Sequence, residues 1–262
     1  MRRLIYDIGA NDGSDTEFYL SKGFDVVAVE ADPALATALS KRFANQIAKG
    51  RLTVLNVGIA EGSGVLPFYV NAKDDWSSFM KNGKATQTNT FETIEVRTCT
   101  LADVMSEHGD AYYIKLDIEG VERVAVASLS DSAHQAPYVS FERNGDLEDV
   151  VRLLGDLGYD SFQLVRQGEG VLAAPPFPSR EGRYRRVAFT GLHSGCFGRD
   201  LRGTWSDGPG VLDQLARDEA DLLHNRDRVA ARAVWYDIHA RHRDARPPSG
   251  KLASLWSGRG IQ

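Results

Sequence analysis

The chain has 262 residues, enough for one large α/β domain or for a domain of about 190–200 residues with an appendage. Its 42% hydrophobic and 26% charged residues stand near globular averages and argue against wholesale disorder. A net charge of −5 without a long basic run argues against a nucleic-acid partner; two distant cysteines, Cys99 and Cys196, in no CxxC or Cys/His spacing, argue against structural zinc or a disulfide framework and fit a reducing cytoplasm. No stretch reaches the length of a membrane span, and the apolar run in "MRRLIYDIGA" is too short for a signal peptide.

In chain order, "RLIYDIG" reads as a strand and "SDTEFYLSKG" as a helix, with Ser14 and Glu17 in capping-box spacing and Gly23 as its stop. "DVVAVE" is a second strand. "ADPALATALSKRFANQIAKG" is a second helix, capped by Asp32 with Pro33 at its first position and striped by Leu35, Leu39, Phe43 and Ile47. "LTVLNVGIA" is a third strand. This order predicts a parallel sheet with right-handed crossovers.

Residues 63–99 break the rhythm, with two antiparallel strands around a polar loop holding Trp76, Ser77, Ser78 and Phe79. The α/β alternation then resumes through "TLADVMSEHG", "AYYIKLDIEG", "VERVAVASL", "PYVSFERN" and "DLEDVVRLLGDLG". "YDSFQLVR" and "YRRVAFTGL" are expected to finish the sheet as an antiparallel pair around a Pro/Gly-rich loop. From about residue 195 the pattern is that of amphipathic helices followed by a loosely ordered tail.

Two constellations carry chemistry. The first turn reads Asp7-x-Gly9-x-Asn11-x-Gly13. A dinucleotide fingerprint leaves the helix N-terminus open to a pyrophosphate, whereas here Asp12 stands in that place, with Asp7 and Asp15 nearby. A cationic ligand matches better, and S-adenosylmethionine carries a sulfonium and no phosphate; NAD is the alternative. Glu30, followed by Ala31, ends strand two, where an acid accepts from ribose hydroxyls. The second constellation is "YYIKLDIEGVE". Asp117 and Glu119 follow a strand on the ligand edge, and Glu142 with Asn144 ends the next strand. Glu122 reads more simply as an acid favoured by a helix N-terminus.

"YDIGANDG", "VVAVEADP", "TCTLADV", "YYIKLDIEGVE" and "YVSFE" resemble, in order, the motifs of the FkbM-type methyltransferases, over roughly residues 3–145. "WSSF" matches a serine-containing segment that the family often has before its "TLD" motif, here Thr100-Leu101-Ala102-Asp103. The family's domain usually follows further N-terminal sequence, and residues 195–262 match nothing in it. The resemblance implies a doubly wound, mostly parallel seven-stranded Rossmann-like methyltransferase sheet over residues 1–194, with a β-hairpin insert at about 63–99. Residues 195–262 would be a helical C-terminal extension, serving as a lid or as the contact of a homodimer.

The implied activity is S-adenosylmethionine-dependent O-methylation of a hydroxyl on a sugar or polyketide-type metabolite, in the cytoplasm. Another small-molecule O or N acceptor, or a catalytically silent binding module, are the alternatives. Asp7, Gly9, Asn11, Gly13, Glu30, Ala31 and Asp117 would hold the cofactor, and Asp117, Glu119 and Glu142 are the candidate bases. A divalent metal such as magnesium, held by Asp117, Glu142 and Asn144, is the other route to an activated hydroxyl. Trp76, Ser77, Ser78 and His193 are the candidate acceptor contacts. His239 and His242 are expected on a solvated helix face, and a thiol role for Cys196 lacks a histidine partner.

Overall fold

A computed structural model describes residues 3–71, 77–79, 91–168, 172–224 and 235–245. Trp76 lies outside them. Seven strands form one sheet in the order β3-β2-β1-β7-β8-β10-β9. β1 (Leu4–Ile8), β2 (Asp25–Val29), β3 (Leu52–Leu55), β7 (Ala111–Leu116) and β8 (Tyr138–Glu142) run parallel, and β10 (Trp235–His242) runs antiparallel to both β8 and β9 (Tyr159–Gln167). The class is the expected mixed α/β with a mostly parallel sheet.

Helices cover both faces. α1 (Ser14–Lys22) and α2 (Pro33–Arg42) bury Phe18, Tyr19 and Leu39 with Phe43 against Ile5, Val26, Tyr113 and Tyr138. α4 (Leu101–His108), α5 (Glu122–Ser128), α6 (Leu147–Asp156) and α7 (Gly208–His224) bury Leu101, Val126, Leu154 and Val211 against Ile8, Ile114, Phe141 and Ile238. Apolar strands buried on both sides are the usual consequence of such crossovers.

The local signals fare unevenly. Asp32 caps α2 by accepting from Ala34 N–H at 2.7 Å, with Pro33 following. The second helix is broken at Phe43 into α2 and the short α3 (Ala44–Ala48), so Ile47 of the expected stripe is exposed. The expected third strand divides: β3 stays in the main sheet, and β4 (Gly58–Ile59) joins a second sheet with β5 (Gly64–Asn71) and β6 (Phe91–Cys99), the antiparallel pair of the insert. Thr100 and Asp103 form a capping box that starts α4.

Several expectations are corrected. Residues 184–192 form no strand. The antiparallel partner of β9 is β10, which pairs with it over eight residues and takes the place expected of residues 184–192. The residues beyond 194 are therefore not only helical, because they supply a strand to the main sheet. Residues 172–207 instead form an irregular strap over α1. Lys22 Nζ meets Asp200 Oδ2 at 2.8 Å with both side chains buried, and Phe197 stacks on Tyr113 at 4.7 Å between ring centroids. His239 is likewise no solvated helix residue. It is buried on β10, lies nearly parallel to the Tyr113 ring, and burial pushes its pKa down to about 3. His242 ends the same strand, packed edge-on to Tyr159.

Candidate functional site

β1, β2, β7 and β8 end on one edge of the sheet, and β10, running the other way, begins there. Gly9, Glu30, Asp117, Glu142 and Asp237 thus meet around one cleft of about 520 Å³. That volume lies in the usual range for small-ligand sites.

The first turn is shaped by close approach. Gly9 has φ of +82°, and a Cβ on it would stand 1.9 Å from the Asp117 carbonyl oxygen. Gly13, at φ +83°, leaves no room for a Cβ beside Leu39 and Phe43. Asn11 takes the left-handed region at φ 47° and turns its backbone N–H to Glu30 Oε2 at 2.8 Å. Asp32 N–H donates to Glu30 Oε1 at 2.9 Å. Each Glu30 oxygen thus has one backbone donor and lone pairs to spare. Burial pushes this carboxyl up to about 7, against the two N–H groups that favour its charge.

The capping of α1 differs from expectation. Ser14 does not cap with Glu17. Gly13 is the N-cap residue and provides no side chain, so Asp12 accepts from Ser14 N–H and from its hydroxyl, both at 2.9 Å. Glu17 pairs with Arg42. A carboxylate therefore occupies the helix tip where a phosphate would otherwise bind.

Behind the turn lies a residue that the spacing did not flag. Lys115, buried on β7, places Nζ 3.4 Å from Asp7 Oδ1, 3.5 Å from Asp15 Oδ2 and 3.3 Å from Asp117 Oδ2, and donates to Gly9 O at 3.2 Å. Burial alone disfavours its charge, but the three carboxylates outweigh burial and hold the ammonium well above its usual range. Asp7 is fully buried, accepts from the Thr16 hydroxyl at 2.6 Å, and is pushed up to about 6 by burial. The only cue in the sequence was a lysine inside the otherwise apolar "YYIKL".

Of the expected cofactor residues, Gly9, Asn11, Glu30, Ala31 and Asp117 line the cleft, whereas Asp7 and Gly13 stand behind it. Glu119 lines it from a left-handed turn at φ 50°. Glu142 lines it from the end of β8. Ser77 and His193 also face it; Ser78 does not, and ties the insert to the 119 turn by donating to Glu119 O at 2.8 Å. His193 is held by Thr190 at 3.0 Å, and burial lowers its pKa.

The proposed metal trio is not assembled. Asn144 donates from Nδ2 to Glu122 Oε1 at 2.9 Å and does not line the cleft. Glu122 is buried and also accepts from Ile118 and Gly120 N–H, so it holds the turn after β7. Among the described residues, no three His, Cys, Asp or Glu side chains gather at metal-ligand spacing.

β10 adds two residues that the helical reading had hidden. Trp235 and Asp237 both line the cleft, and Asp237 stands opposite Glu142 in strand register. Burial raises the Asp237 carboxyl well above the carboxylate range, and Asp117 and Glu142 add to the effect.

Residues 7–161 match the family described as methyltransferase FkbM domain. Over 53 residues the chain is 45% identical to a probable ribosomal RNA small subunit methyltransferase A of Methanospirillum hungatei, covering 20% of this chain and 21% of that protein. Among solved structures it is similar to a methyltransferase FkbM from Methylobacillus flagellatus, at a TM-score of 0.41 and 19% identity over 62% of this chain and 39% of that one. A SAM-dependent O-methyltransferase from Thermotoga maritima gives a TM-score of 0.41 and 12% identity over 92% of this chain and 59% of that one. The chain thus spans about a fifth of the curated relative and about two fifths of the FkbM structure.

Proposed function

The chain belongs to the methyltransferase FkbM domain family, and from that premise we propose that it transfers a methyl group from S-adenosylmethionine to a hydroxyl of a sugar or similarly hydroxylated metabolite. The observation that carries the reading is the first turn. A helix tip filled by Asp12 disfavours a phosphate-bearing cofactor, while Glu30, with spare lone pairs on both oxygens, suits a ribose diol. When bound, S-adenosylmethionine supplies an electrophilic methyl group on a positively charged sulfur.

In this reading Gly9, Asn11, Glu30 and Ala31 hold the cofactor's adenosine side, and Asp117 adds negative charge on the β7 side. The acceptor would enter between Ser77, the 191–194 segment and Trp235. An indole face beside carboxylates suits a polyhydroxylated ring, whose C–H face stacks and whose hydroxyls donate. Holding the acceptor oxygen in line can supply roughly 7–11 kcal/mol of the acceleration. A positioned base adds about 10²–10⁴-fold.

Calorimetry with S-adenosylmethionine and, separately, with NAD tests the reading. Binding of the first and not the second is expected, and the reverse would overturn the assignment. Cofactor binding with no turnover on any hydroxylated acceptor would favour a silent binding module.

A further inference from the structure

The cleft holds several carboxylates, and their partners sort them. Asp117 lies 3.3 Å from the buried Lys115 ammonium, and Asp15 lies 3.5 Å from it while also accepting from Ser194 N–H. Glu30 is engaged by two backbone N–H groups. An acceptor hydroxyl at any of these three would have to compete with donors already in place.

Asp237 is held differently. Its Oδ2 accepts from Gln167 Nε2 at 2.7 Å, an uncharged donor, and its other oxygen carries no hydrogen bond among the described residues. The residue is only 6% exposed yet lines the cleft. Gln167 is fully buried, and its Nε2 also donates to Ser194 O at 3.1 Å. Both contacts are acceptors, so only one orientation of the amide satisfies them. Ser194 N–H in turn meets both Asp15 oxygens at 3.1 Å. A continuous set of hydrogen bonds thus fixes Asp237 relative to α1 and the first turn. Trp235, two residues earlier on the same strand face, lines the cleft beside it.

We propose that Asp237 is the base that takes the proton from the acceptor hydroxyl, and that Gln167 is its positioning residue. This rests on the O-methyl transfer reading above. The hydroxyl proton passes to a carboxylate oxygen of Asp237. The acceptor oxygen's lone pair forms the new O–C bond, and the electron pair of the breaking C–S bond stays on sulfur as a neutral thioether. The cleft loses a positive and a negative charge together, which a low-dielectric site favours. Residue 237 lies beyond the matched span 7–161, so the base comes from a strand outside the family's own motifs.

The test uses the full chain, S-adenosylmethionine labelled in its methyl group, and a panel of methyl glycosides of glucose, mannose, rhamnose and fucose. For a glycoside that the wild type methylates, Asp237→Asn should lower kcat by about 10²–10⁴-fold. The acceptor KM, and the cofactor affinity read by calorimetry, should stay unchanged. Asp237→Glu should recover part of kcat. Gln167→Leu should lower kcat by a smaller factor, again at constant KM. Wild-type kcat in Asp237→Asn overturns the proposal, as does a loss of cofactor affinity in step with kcat, or full activity in Gln167→Leu. A wild type that binds cofactor yet methylates none of the glycosides refutes instead the acceptor reading on which the proposal stands.

Discussion

Glu30 offers a measurement of what the cofactor edge costs the empty protein. The side chain is 6% exposed, and burial lifts its carboxyl from an ordinary 4.5 to about 7. Between those two values the folded chain holds a proton that the unfolded chain releases. Stability therefore falls as pH rises through that window, and the penalty is complete above pH 7. At about 1.4 kcal/mol per pH unit, the penalty amounts to about 3 kcal/mol. Glu30→Gln keeps the shape and removes the titration. Urea unfolding of both proteins should be followed from pH 4.5 to pH 8. The stability of the wild type minus that of the variant should drop by about 3 kcal/mol across the range. Asp7 and Glu122 carry shifts of the same sign, but both remain in the variant and cancel in the difference. A flat difference would mean that Glu30 titrates as an exposed acid, and the account of the turn would fail.

Other expectations follow from the same geometry. Glu30→Ala should weaken S-adenosylmethionine binding by about 1–3 kcal/mol, roughly 5- to 150-fold, read by calorimetry. Gly9→Ala forces a Cβ onto the Asp117 carbonyl at φ +82° and should cost roughly 3 kcal/mol or more in urea unfolding. Lys115→Met leaves Asp7, Asp15 and Asp117 facing one another and should destabilise by about 3–5 kcal/mol at pH 8. That loss should shrink below pH 6 as the acids protonate, and a loss independent of pH would point to packing alone. Asp12→Ala should cost about 1 kcal/mol as a lost cap while Ser14→Ala costs less; the opposite order in thermal unfolding would restore the serine cap.

The first half of the fold was legible because its signals are local. Asp32-Pro33 marks a helix start that needs no tertiary information, and strands such as "DVVAV", buried on both faces, announce themselves by composition. Glu30 and Asp117 were legible as site candidates for the same reason, since each simply ends such a strand. β10 was not. Tyr236, Ile238 and Ala240 do alternate with Asp237, His239 and Arg241, but eight residues of alternation after a 17-residue amphipathic helix read as more helix. What makes them a strand is the slot between β8 and β9, a partner choice made across many residues of chain. Lys115 was overlooked because its meaning lies in three carboxylates brought in from β1, α1 and the end of β7. The capping of α1 went to Asp12 because the residue at the cap position is a glycine.

The interposed strand also sets an order of assembly. During synthesis β8 and β9 both precede β10, yet neither pairs with the other in the finished sheet. Until residues 235–242 leave the ribosome, both strands present unpaired backbone edges, the kind of surface that invites intermolecular pairing. The elements that carry Gly9, Glu30 and Asp117 are complete well before that moment, whereas Asp237 arrives only with β10. A nascent chain would thus have its cofactor edge in place while its acceptor side was still open, and a chaperone that shields β8 and β9 would be guarding the gap that β10 closes.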